Sequence, residues 1–328
     1  MHGIPRGLVF AIYYPVLAAI GLPANLALII ILYQRRCGLS GCITYYLVSM
    51  AITDLMLIVT AVILNRIAGI FFPFSFPFIT PVCSLRLAFN FAAIDSSAWL
   101  TVAFTFDRFV VICCQKLKTK YCTEKVAVRV IGIVSALTCL KNAFVYFIYE
   151  PTYIVNNIPL FCRARLIFYT SPAWAAYDWI RPILTPCLPF ILILLLNILT
   201  VRYILVANRG RRRLRVQNNG KNQGDPEMEK RRKSIVLLFA ISGTFILLHL
   251  LFIITIIYIR VAKVVYFTGS DFSEQTFLLE EAGFRLLLLT SSVNPFIYAG
   301  TQGKIRIELR NGLKYPLRLL IQIFKIGR

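Results

Sequence analysis

Residues 234–259 read SIVLLFAISGTFILLHLLFIITIIYI, and no Lys, Arg, Asp or Glu interrupts this apolar run. A helix of about 20 apolar residues is long enough to span the hydrocarbon core of a bilayer. Six other runs of similar character are spread over the chain, some with an internal proline or a lone charge. The pattern predicts seven membrane-spanning helices, at residues 8–33, 43–69, 81–114, 125–149, 179–206, 234–261 and 275–300.

The overall composition agrees with this prediction. Of the 328 residues, 58% are hydrophobic and 15% are charged, whereas a soluble domain carries about 25% charged residues. A soluble helical bundle is the alternative, but nothing could solvate so much Leu, Ile and Phe. The predicted fold class is an all-α membrane protein, a seven-transmembrane helix bundle without internal repeats.

The net charge of +22 would first suggest a nucleic-acid partner. However, 26 of the 36 Lys and Arg residues lie in segments 34–42, 108–129, 202–234 and 300–328. These segments are alternate connections and the C-terminal tail, so they share one side of the membrane. The positive-inside rule makes that side cytoplasmic and puts the N-terminus outside. The charge therefore reflects topology in lipid, and no nucleic acid is expected as a partner.

Most of the nine cysteines fall on predicted inner connections or within spans. In this topology only Cys83 and Cys162 lie near the outer face, where thiols can be oxidised. We therefore predict one disulfide bond, between Cys83 and Cys162.

The sixth helix is predicted to begin before it enters the membrane. Asp225-Pro226-Glu227 combines an N-cap residue, a first-turn proline and an acidic residue that suits the helix dipole. This combination indicates a helix start near Pro226.

An amphipathic segment follows the seventh span. Ile305, Leu309 and Leu313 recur at every fourth position among basic residues, which predicts a short eighth helix on the inner leaflet. Residues 1–301 then form the seven-transmembrane domain, and residues 302–328 form the amphipathic basic helix and a short cytoplasmic tail.

Five short motifs lie at defined depths in the predicted spans. They are Asn25 in the first span, Asp54 in the second, Cys83 at the start of the third, Asp107-Arg108-Phe109 at its end, and Asn294-Pro295-Phe296-Ile297-Tyr298 at the end of the seventh. In this order, and across nearly the whole chain, they resemble the rhodopsin-like (class A) G-protein-coupled receptors. The resemblance implies a plasma-membrane receptor, not an enzyme, that binds an extracellular small ligand and activates a heterotrimeric G protein.

The connections and the tail resemble a narrower group. The stretches KLKTKYCTEK (116–125), DPEMEKRRKSI (225–235) and LRNGLKYP (309–316) are similar to those of a vertebrate orphan-receptor branch that senses aromatic amino acids and related peptides. This likeness implies an amino-acid-like or peptide-like ligand and signalling through phospholipase C and calcium.

The resemblance also assigns the activation switch and G-protein coupling to Asp107, Arg108, Asn294, Pro295 and Tyr298. It implies that Asp107 holds Arg108 at rest and that Arg108 is released toward the G protein when the sixth helix moves outward. The alternative is an interfacial pair whose arginine only extends toward the headgroups. Arg231 stands where the family often has an acid facing this arginine, so we expect ligand-independent signalling.

Asp54 is a lone carboxylate in the middle of a predicted span, so it must be protonated, paired or bound to a cation. The resemblance places Asn25, Ser97, Ser291 and Asn294 around a sodium ion at Asp54, and oxygen ligands suit such a hard cation. A neutral, hydrogen-bonded Asp54 is the alternative. No other metal and no cofactor are expected.

The outer halves of the helices carry unusual charges, among which Asp95 and Arg181 are predicted to pair. The other charges are Arg86, Asp178, Glu280, Glu281 and Arg285. Spare arginines beside aromatic rings would suit a ligand that has a carboxylate and a ring, because arginine binds carboxylates with two parallel hydrogen bonds. Helical spacing and the resemblance place eight residues in the pocket lining: Arg86, Asn90, Phe91, Ile94, Arg181, His249, Phe252 and Phe284.

Some positions exclude particular ligands or depart from the family pattern. An amine receptor would have an aspartate at Asn90, and an opsin would need a lysine in residues 275–300, which contain none. His249 replaces the tryptophan usual near the pocket floor, and Leu251 replaces a proline. We expect His249 to be a neutral, hydrogen-bonded core residue, the alternative being a group that titrates near neutral pH.

A signalling receptor has three alternatives. A transporter or channel would favour inverted repeats and broken helices around a midplane site, and the sequence shows neither. An intramembrane enzyme would need paired catalytic carboxylates or a His-rich metal cluster, and neither is evident in the sequence. The third alternative is a receptor that folds but is silenced by His249 and Leu251.

Overall fold

The computed structural model describes residues 8–34, 37–217, 226–262 and 275–311. Within these ranges, seven long helices form the bundle, and the predicted seven-helix membrane fold is confirmed. They are α1 (Leu8–Tyr33), α2 (Gly41–Leu57, continued by Ile58–Ile67 and Ala68–Phe71), α3 (Thr80–Cys113), α4 (Glu124–Ala143, continued by Phe144–Ile148), α5 (Pro172–Pro182, Ile183–Cys187 and Leu188–Gln217), α6 (Pro226–Val261) and α7 (Gln275–Thr301). Short helices at Phe76–Phe78, Gln115–Tyr121 and Leu166–Thr170 lie in the connections.

The helices are those of a multi-pass membrane protein. Six are long and apolar enough to cross a bilayer: Ala11–Tyr33, Gly41–Phe71, Thr80–Cys113, Glu124–Ile148, Pro172–Ala207 and Arg232–Ile259. The seventh, α7, carries Glu280, Glu281 and Arg285 in its first half. Apolar side chains on the outside of the bundle are exposed, whereas Asn25 and Asp54 are buried within it. This arrangement suits lipid rather than water as the surrounding medium.

The two ends of the bundle differ. We call the end where α3 finishes at Cys113 the basic end, because the exposed Lys116, Lys118 and Lys120 follow there. We call the opposite end, which contains Cys83 and Cys162, the disulfide end.

Local signals explain where several helices begin. The Oγ1 of Thr123 accepts a hydrogen bond from the backbone N–H of Val126 at 3.3 Å, and Glu124 lies in the first turn of α4. Both features stabilise a helix N-terminus. The sixth helix begins at Pro226, as predicted; Asp225 lies outside the described residues.

The fifth helix is longer and less regular than predicted. It begins at Pro172 and ends at Gln217 rather than spanning 179–206. Thr185 has an extended backbone (φ −156°, ψ 120°) between Pro182 and Pro186. Because proline lacks an N–H donor and crowds the preceding turn, helical hydrogen bonding is interrupted there.

A small β-structure lies at the disulfide end between α4 and α5. Strands β1 (Tyr149–Glu150) and β4 (Arg163–Ala164) pair antiparallel, and so do β2 (Tyr153–Val155) and β3 (Ile158–Leu160). Asn156 and Asn157 both have positive φ, of 49° and 60°. Such values suit the two-residue turn of a tight hairpin, and Asn tolerates them well.

A helical segment follows α7 at the basic end. The backbone is helical over 303–311, and Ile305 is fully buried in the core cluster that contains Leu28 and Tyr46. Lys304 and Arg306 are exposed. The predicted Leu313, the end of the helix and the tail lie outside the described residues. The division into domains at residue 301 stays a prediction.

Candidate functional sites at the two ends of the bundle

Arg108 and Asp107 form a buried ion pair at the basic end. Their exposed fractions are 3% and 1%. The Nε of Arg108 donates a hydrogen bond to Oδ2 of Asp107 at 3.0 Å, and Nη2 also contacts this oxygen. The guanidinium carbon lies 5.8 Å from the centroid of the Phe104 ring. The pair is therefore enclosed in the bundle rather than extended toward headgroups.

Two thiols also bind Asp107, which sequence reasoning did not predict. The Sγ of Cys42 donates to Oδ1 of Asp107 at 3.2 Å, and the Sγ of Cys122 donates to its backbone carbonyl at 3.7 Å. Cys122 lies in the connection after α3. Burial is the larger cause, and the negative charge of Asp107 the smaller, of a rise in the pKa of the Cys122 thiol to about 12. The thiol stays protonated at neutral pH and remains a donor.

Arg108 also connects α3 to α6. Its Nη1 donates to Oγ of Ser234 at 3.4 Å, a long and weak hydrogen bond. Asp107 is the one carboxylate that contacts Arg108 among the described residues. The side chain of Arg231, predicted to face Arg108, lies outside those described.

The motif at the end of α7 is bound to the neighbouring helices. Asn294 donates from Nδ2 to Oδ2 of Asp54 at 2.7 Å, and Pro295 lies inside the helix. Tyr298 is fully buried, and its hydroxyl contacts the sulfur of Met50 at 3.9 Å. The side chain of Tyr298, which is on α7, thus packs against α2, and its described contacts do not include Arg108.

The structure brings only some of the residues predicted to surround a sodium ion into contact with Asp54 or with one another. Asn25 donates from Nδ2 to the carbonyl oxygens of Gly21 and Ser291, at 2.9 and 2.8 Å. The Ser291 hydroxyl donates to Leu288, and Ser97 is joined to Thr101 through its backbone carbonyl.

Asp54 itself is 1% exposed and contacts no cationic side chain in the described part of the chain. The Oδ1 of Asn25 is also buried there without a partner. Carboxylate and amide oxygens suit a hard cation in chemical type. Sodium binding stays a prediction.

The predicted disulfide between Cys83 and Cys162 is confirmed. It joins the start of α3 to the segment between β3 and β4. A hydrogen bond of 2.7 Å from Oγ1 of Thr80 to the carbonyl oxygen of Phe161 reinforces this connection. The hairpin is therefore fixed over the disulfide end.

The predicted pair between Asp95 and Arg181 is wrong. Asp95 Oδ2 instead lies 2.5 Å from Nζ of Lys141 and accepts a hydrogen bond of 2.5 Å from Nδ2 of Asn142. Both partners are on α4, which packs against α3. The guanidinium of Arg181 lies over the ring of Phe91, 4.4 Å from its centroid.

A second buried ion pair at this end was also missed. Arg66 on α2 binds Glu281 on α7 with an N–O distance of 2.8 Å. Its guanidinium lies over the rings of Tyr14 and Phe284, at 5.7 and 5.3 Å. Arg66 and Lys141 were detectable as lone charges inside predicted spans, which usually mark paired or functional positions.

Arg86 is buried at the disulfide end, and no acidic side chain among the described residues pairs with it. It is 4% exposed, and its Nη2 donates to the disulfide sulfur of Cys83 at 3.5 Å. The guanidinium lies 5.8 Å from the centroid of Phe78. Its Nε and Nη1 meet no acceptor among the described residues, and Oδ1 of Asn90, one turn further along α3, meets no donor among them.

The remaining predicted pocket residues form an aromatic and apolar group. Ile94, Phe252 and Phe284 pack in one cluster, and the Phe252 and Phe284 ring centroids are 6.2 Å apart. The ring of His249 stacks on Phe245 at 3.9 Å, and its Nδ1 is 3.0 Å from the Phe245 carbonyl oxygen.

At Gly283 the backbones of α6 and α7 touch. A Cβ at this position would lie 2.8 Å from Cα of Phe252. Only glycine permits this approach.

A separate apolar cleft of about 520 Å³ lies between α1 and α7. None of the predicted pocket residues lines it. Its lining consists of Val9, Ile12, Tyr13, Val16, Leu17, Ile20, Leu289, Ser292, Val293 and Phe296. Because many of these side chains are exposed on the outside of the bundle, the cleft belongs to the lipid-facing surface.

A seven-helix membrane bundle with a buried Asp-Arg pair at one end and a disulfide-bound hairpin at the other defines the class of seven-transmembrane receptors. The model of one protein family, described as "7 transmembrane receptor (rhodopsin family)", matches residues 24–298. The match runs from the first helix to Tyr298, so the chain belongs to the rhodopsin family of seven-transmembrane receptors. Its members are receptors, which signal through G proteins in response to extracellular ligands.

Proposed function

We propose that this receptor binds an amino-acid-like or peptide-like ligand at the disulfide end and activates a heterotrimeric G protein at the basic end. The basic end then faces the cytoplasm, because clustered Lys and Arg side chains favour that side of a membrane. The N-terminus lies outside the cell, the C-terminus inside, and the plasma membrane is the site of action.

The buried Asp107–Arg108 pair carries the proposal. Arg108 has two contacts with Asp107 on its own helix and one long hydrogen bond to Ser234 on α6. Movement of α6 away from α3 breaks the weaker contact and opens the basic end around Arg108. A guanidinium in that opening has the donors needed to bind carbonyl oxygens at the C-terminus of a G-protein helix.

The ligand class follows from the surroundings of Arg86 and Phe91. Two nitrogens of Arg86, Nε and Nη1, have no hydrogen-bond acceptor among the described residues. The carboxylate of a ligand can accept a charge-assisted hydrogen bond from either of them. Aromatic rings line the same end of the bundle, at Phe91, Phe252 and Phe284, and can pack against a ring of the ligand. A ligand with both groups, such as an aromatic amino acid or a short peptide, matches these chemistries.

The phospholipase-C and calcium route is proposed from the resemblance of the connections to the amino-acid-sensing branch. A calcium assay in cells that express the receptor tests ligand and route together. Free amino acids and short peptides are applied one by one, each beside its C-terminal amide, which lacks the carboxylate charge. We expect a response to an aromatic amino acid or peptide acid and a much weaker response to its amide.

Arg108→Ala tests the signalling role, with Arg129→Ala as the control because Arg129 is exposed on α4. At matched surface expression, Arg108→Ala should abolish G-protein nucleotide exchange, whereas Arg129→Ala should retain it. Equal exchange by Arg108→Ala and the parent would falsify the proposed coupling. A parent that activates no G protein under any condition would support the silent-receptor alternative, for which His249 and Leu251 are the candidates.

A further inference from the structure

The buried ion pair between Arg66 and Glu281 is joined through one atom of each partner. Nη2 of Arg66 donates to Oε1 of Glu281 at 2.8 Å, and the two side chains are 9% and 3% exposed. Nε of Arg66, on the same edge of the guanidinium as Nη2, meets no acceptor among the described residues. Oε2 of Glu281 meets no donor among them. The pair therefore has a buried donor and a buried acceptor close together, each without a described partner.

The position of the Arg66 guanidinium is restricted by aromatic rings. Its central carbon lies 5.7 Å from the ring centroid of Tyr14 and 5.3 Å from that of Phe284. These rings limit how the guanidinium can turn to form a second hydrogen bond with Glu281. A buried charged group that lacks a hydrogen bond is costly, so both free positions favour a ligand that has a donor and an acceptor of its own.

A second guanidinium acts on the same place. The positive charges of Arg66 and Arg86 repel each other, and Nε and Nη1 of Arg86 meet no acceptor in the described part of the chain. An anion between two such guanidiniums would relieve their repulsion and accept their hydrogen bonds. The helices α2, α3 and α7 thus bring together two cations, Arg66 and Arg86, and one anion, Glu281.

We propose that Arg66, Arg86 and Glu281 bind the charged head of a free α-amino acid. The ammonium group donates to Oε2 of Glu281, and the carboxylate accepts from Arg66 and Arg86. An α-amino acid carries both charges on one carbon, so its donor and acceptor are as close together as those of the Arg66–Glu281 pair. The inference rests on the proposed function for the location of the ligand at the disulfide end.

The ligand class is thereby narrowed from amino acids and peptides to free amino acids. In a peptide the ammonium and the carboxylate belong to different residues, and amide bonds replace the charges between them. Phe284 lies beside the guanidinium of Arg66, and its ring centroid is 6.2 Å from that of Phe252. A head group bound at Arg66 therefore places the side chain of the amino acid next to aromatic rings, which suits a ring on the ligand.

A purely structural role is the alternative, in which the ion pair only links α2 to α7. The two roles differ in how they respond to chemical changes in the ligand. A binding site for an ammonium group distinguishes an amino acid from its N-acetyl derivative, which has no positive charge. A structural link affects both compounds equally.

The test uses the purified full-length receptor in lipid nanodiscs. Phenylalanine, tyrosine and tryptophan are titrated, each beside its N-acetyl derivative and its C-terminal amide, and the midpoint of thermal unfolding is measured. At least one free amino acid should raise the midpoint. Either derivative should need a concentration about tenfold or more higher for the same rise, because each loses a charge-assisted hydrogen bond.

Glu281→Gln preserves the size of the side chain and removes its charge. In this variant the free amino acid should need about tenfold more for the same rise in midpoint, whereas the N-acetyl derivative should act as it does on the parent. Glu150→Gln is the matched control, because Glu150 is an acid at the same end that pairs with the exposed Arg163. The control should leave the response to both compounds unchanged.

A double variant covers the case in which Glu281→Gln does not fold, since that change leaves Arg66 buried without its carboxylate. Arg66→Gln combined with Glu281→Gln removes both charges and should respond equally weakly to the amino acid and to its N-acetyl derivative. A double variant that still prefers the free amino acid about tenfold overturns the proposal. A single variant that loses the response to both compounds equally also overturns it and favours the structural role.

Binding and signalling can fail separately in these experiments. If a free amino acid raises the midpoint as expected but no G protein is activated, the proposed coupling fails and the amino-acid site stands. If an N-acetyl derivative or a peptide acid activates the G protein as well as the free amino acid does, the receptor function stands and the amino-acid site is excluded. If none of the three amino acids raises the midpoint, the assignment of the site is overturned.

Discussion

Two buried arginines on the same helix, Arg86 and Arg108, have opposite surroundings. Their exposed fractions are 4% and 3%. Arg108 has a carboxylate on two of its nitrogens and a serine on the third. Arg86 has a sulfur contact and no carboxylate, and two of its nitrogens are without a partner in the described structure. The comparison separates a charge that the fold has neutralised from one that meets no carboxylate among the described residues.

Removing the paired arginine should have the largest effect on stability. Arg108→Ala leaves Asp107 buried without its cation, and breaking a buried pair in this way costs about 3–5 kcal/mol. Denaturant titration of the purified receptor in detergent measures the free energy of unfolding. Combining Arg108→Ala with Asp107→Asn should recover much of the loss. If the single variant is as stable as Arg129→Ala, an exposed control, the pair does not stabilise the basic end.

Lys141, which pairs with Asp95, is a paired cation at the disulfide end, the same end as Arg86. Lys141→Met leaves Asp95 with only its hydrogen bond from Asn142, and we expect a loss of about 3 kcal/mol. Arg181→Met removes the cation–π contact with Phe91, which is worth about 0.5–2 kcal/mol. The same unfolding assay ranks the two variants. A larger loss of unfolding free energy for Arg181→Met than for Lys141→Met would instead support an ion pair between Asp95 and Arg181.

Mutation of Arg86, which meets no carboxylate among the described residues, should have the opposite effect on stability to mutation of Arg108 or Lys141. Arg86→Met removes a buried charge and leaves no acid behind, so the ligand-free receptor should be unchanged or more stable by about 1 kcal/mol. Binding of an anionic ligand should weaken in the same variant. Arg163→Met is the control, because Arg163 is an exposed residue at the same end, paired with Glu150. A marked loss of stability in ligand-free Arg86→Met would show that Arg86 already has an internal partner.

The smallest expected effect on stability is the pH dependence caused by the Cys122 thiol, which donates to the backbone carbonyl of Asp107. The pKa of Cys122 is raised from 9.0 to about 12 because burial disfavours the thiolate. The protonated thiol therefore contributes stability that is present below about pH 9 and is lost as the pH rises toward about 12. Its alkylation rate should keep rising through pH 10, measured by mass spectrometry with Cys122→Ser as the blank. A rate that levels off near pH 9 would contradict the burial of the Cys122 thiol beside Asp107.

The helices and the disulfide could be predicted because their signals are local or topological. The third helix was expected at 81–114 and is found at Thr80–Cys113. The partner of Asp95 could not be predicted, since Lys141 and Arg181 both lie beside α3 at the disulfide end. The rotation of α4 against α3 decides between them, and a hydrogen bond of 2.6 Å between Ser96 and Thr138 belongs to that contact.

Other features were missed because their signals are weak. The strands between α4 and α5 have two or three residues each, too few for an alternating pattern, although Asn156-Asn157 is a turn signal. The thiols on Asp107 follow no motif, because Cys42 and Cys122 are far from Asp107 in sequence. The start of α5 at Pro172 was missed because Pro172, Asp178 and Arg181 interrupt the apolar run of its first turns.

The contact at Gly283 has a mechanical consequence. The sixth helix contains no proline after Pro226, so we expect it to resist bending and to tilt as a rigid rod about the point where its backbone touches α7. The arm from Phe252 to Ser234 is about 27 Å long, and the arm from Phe252 to Val261 is about 14 Å, at 1.5 Å rise per residue. A ligand that draws the arm at the disulfide end toward the bundle axis by a given distance should therefore swing Ser234 away from that axis by about twice that distance.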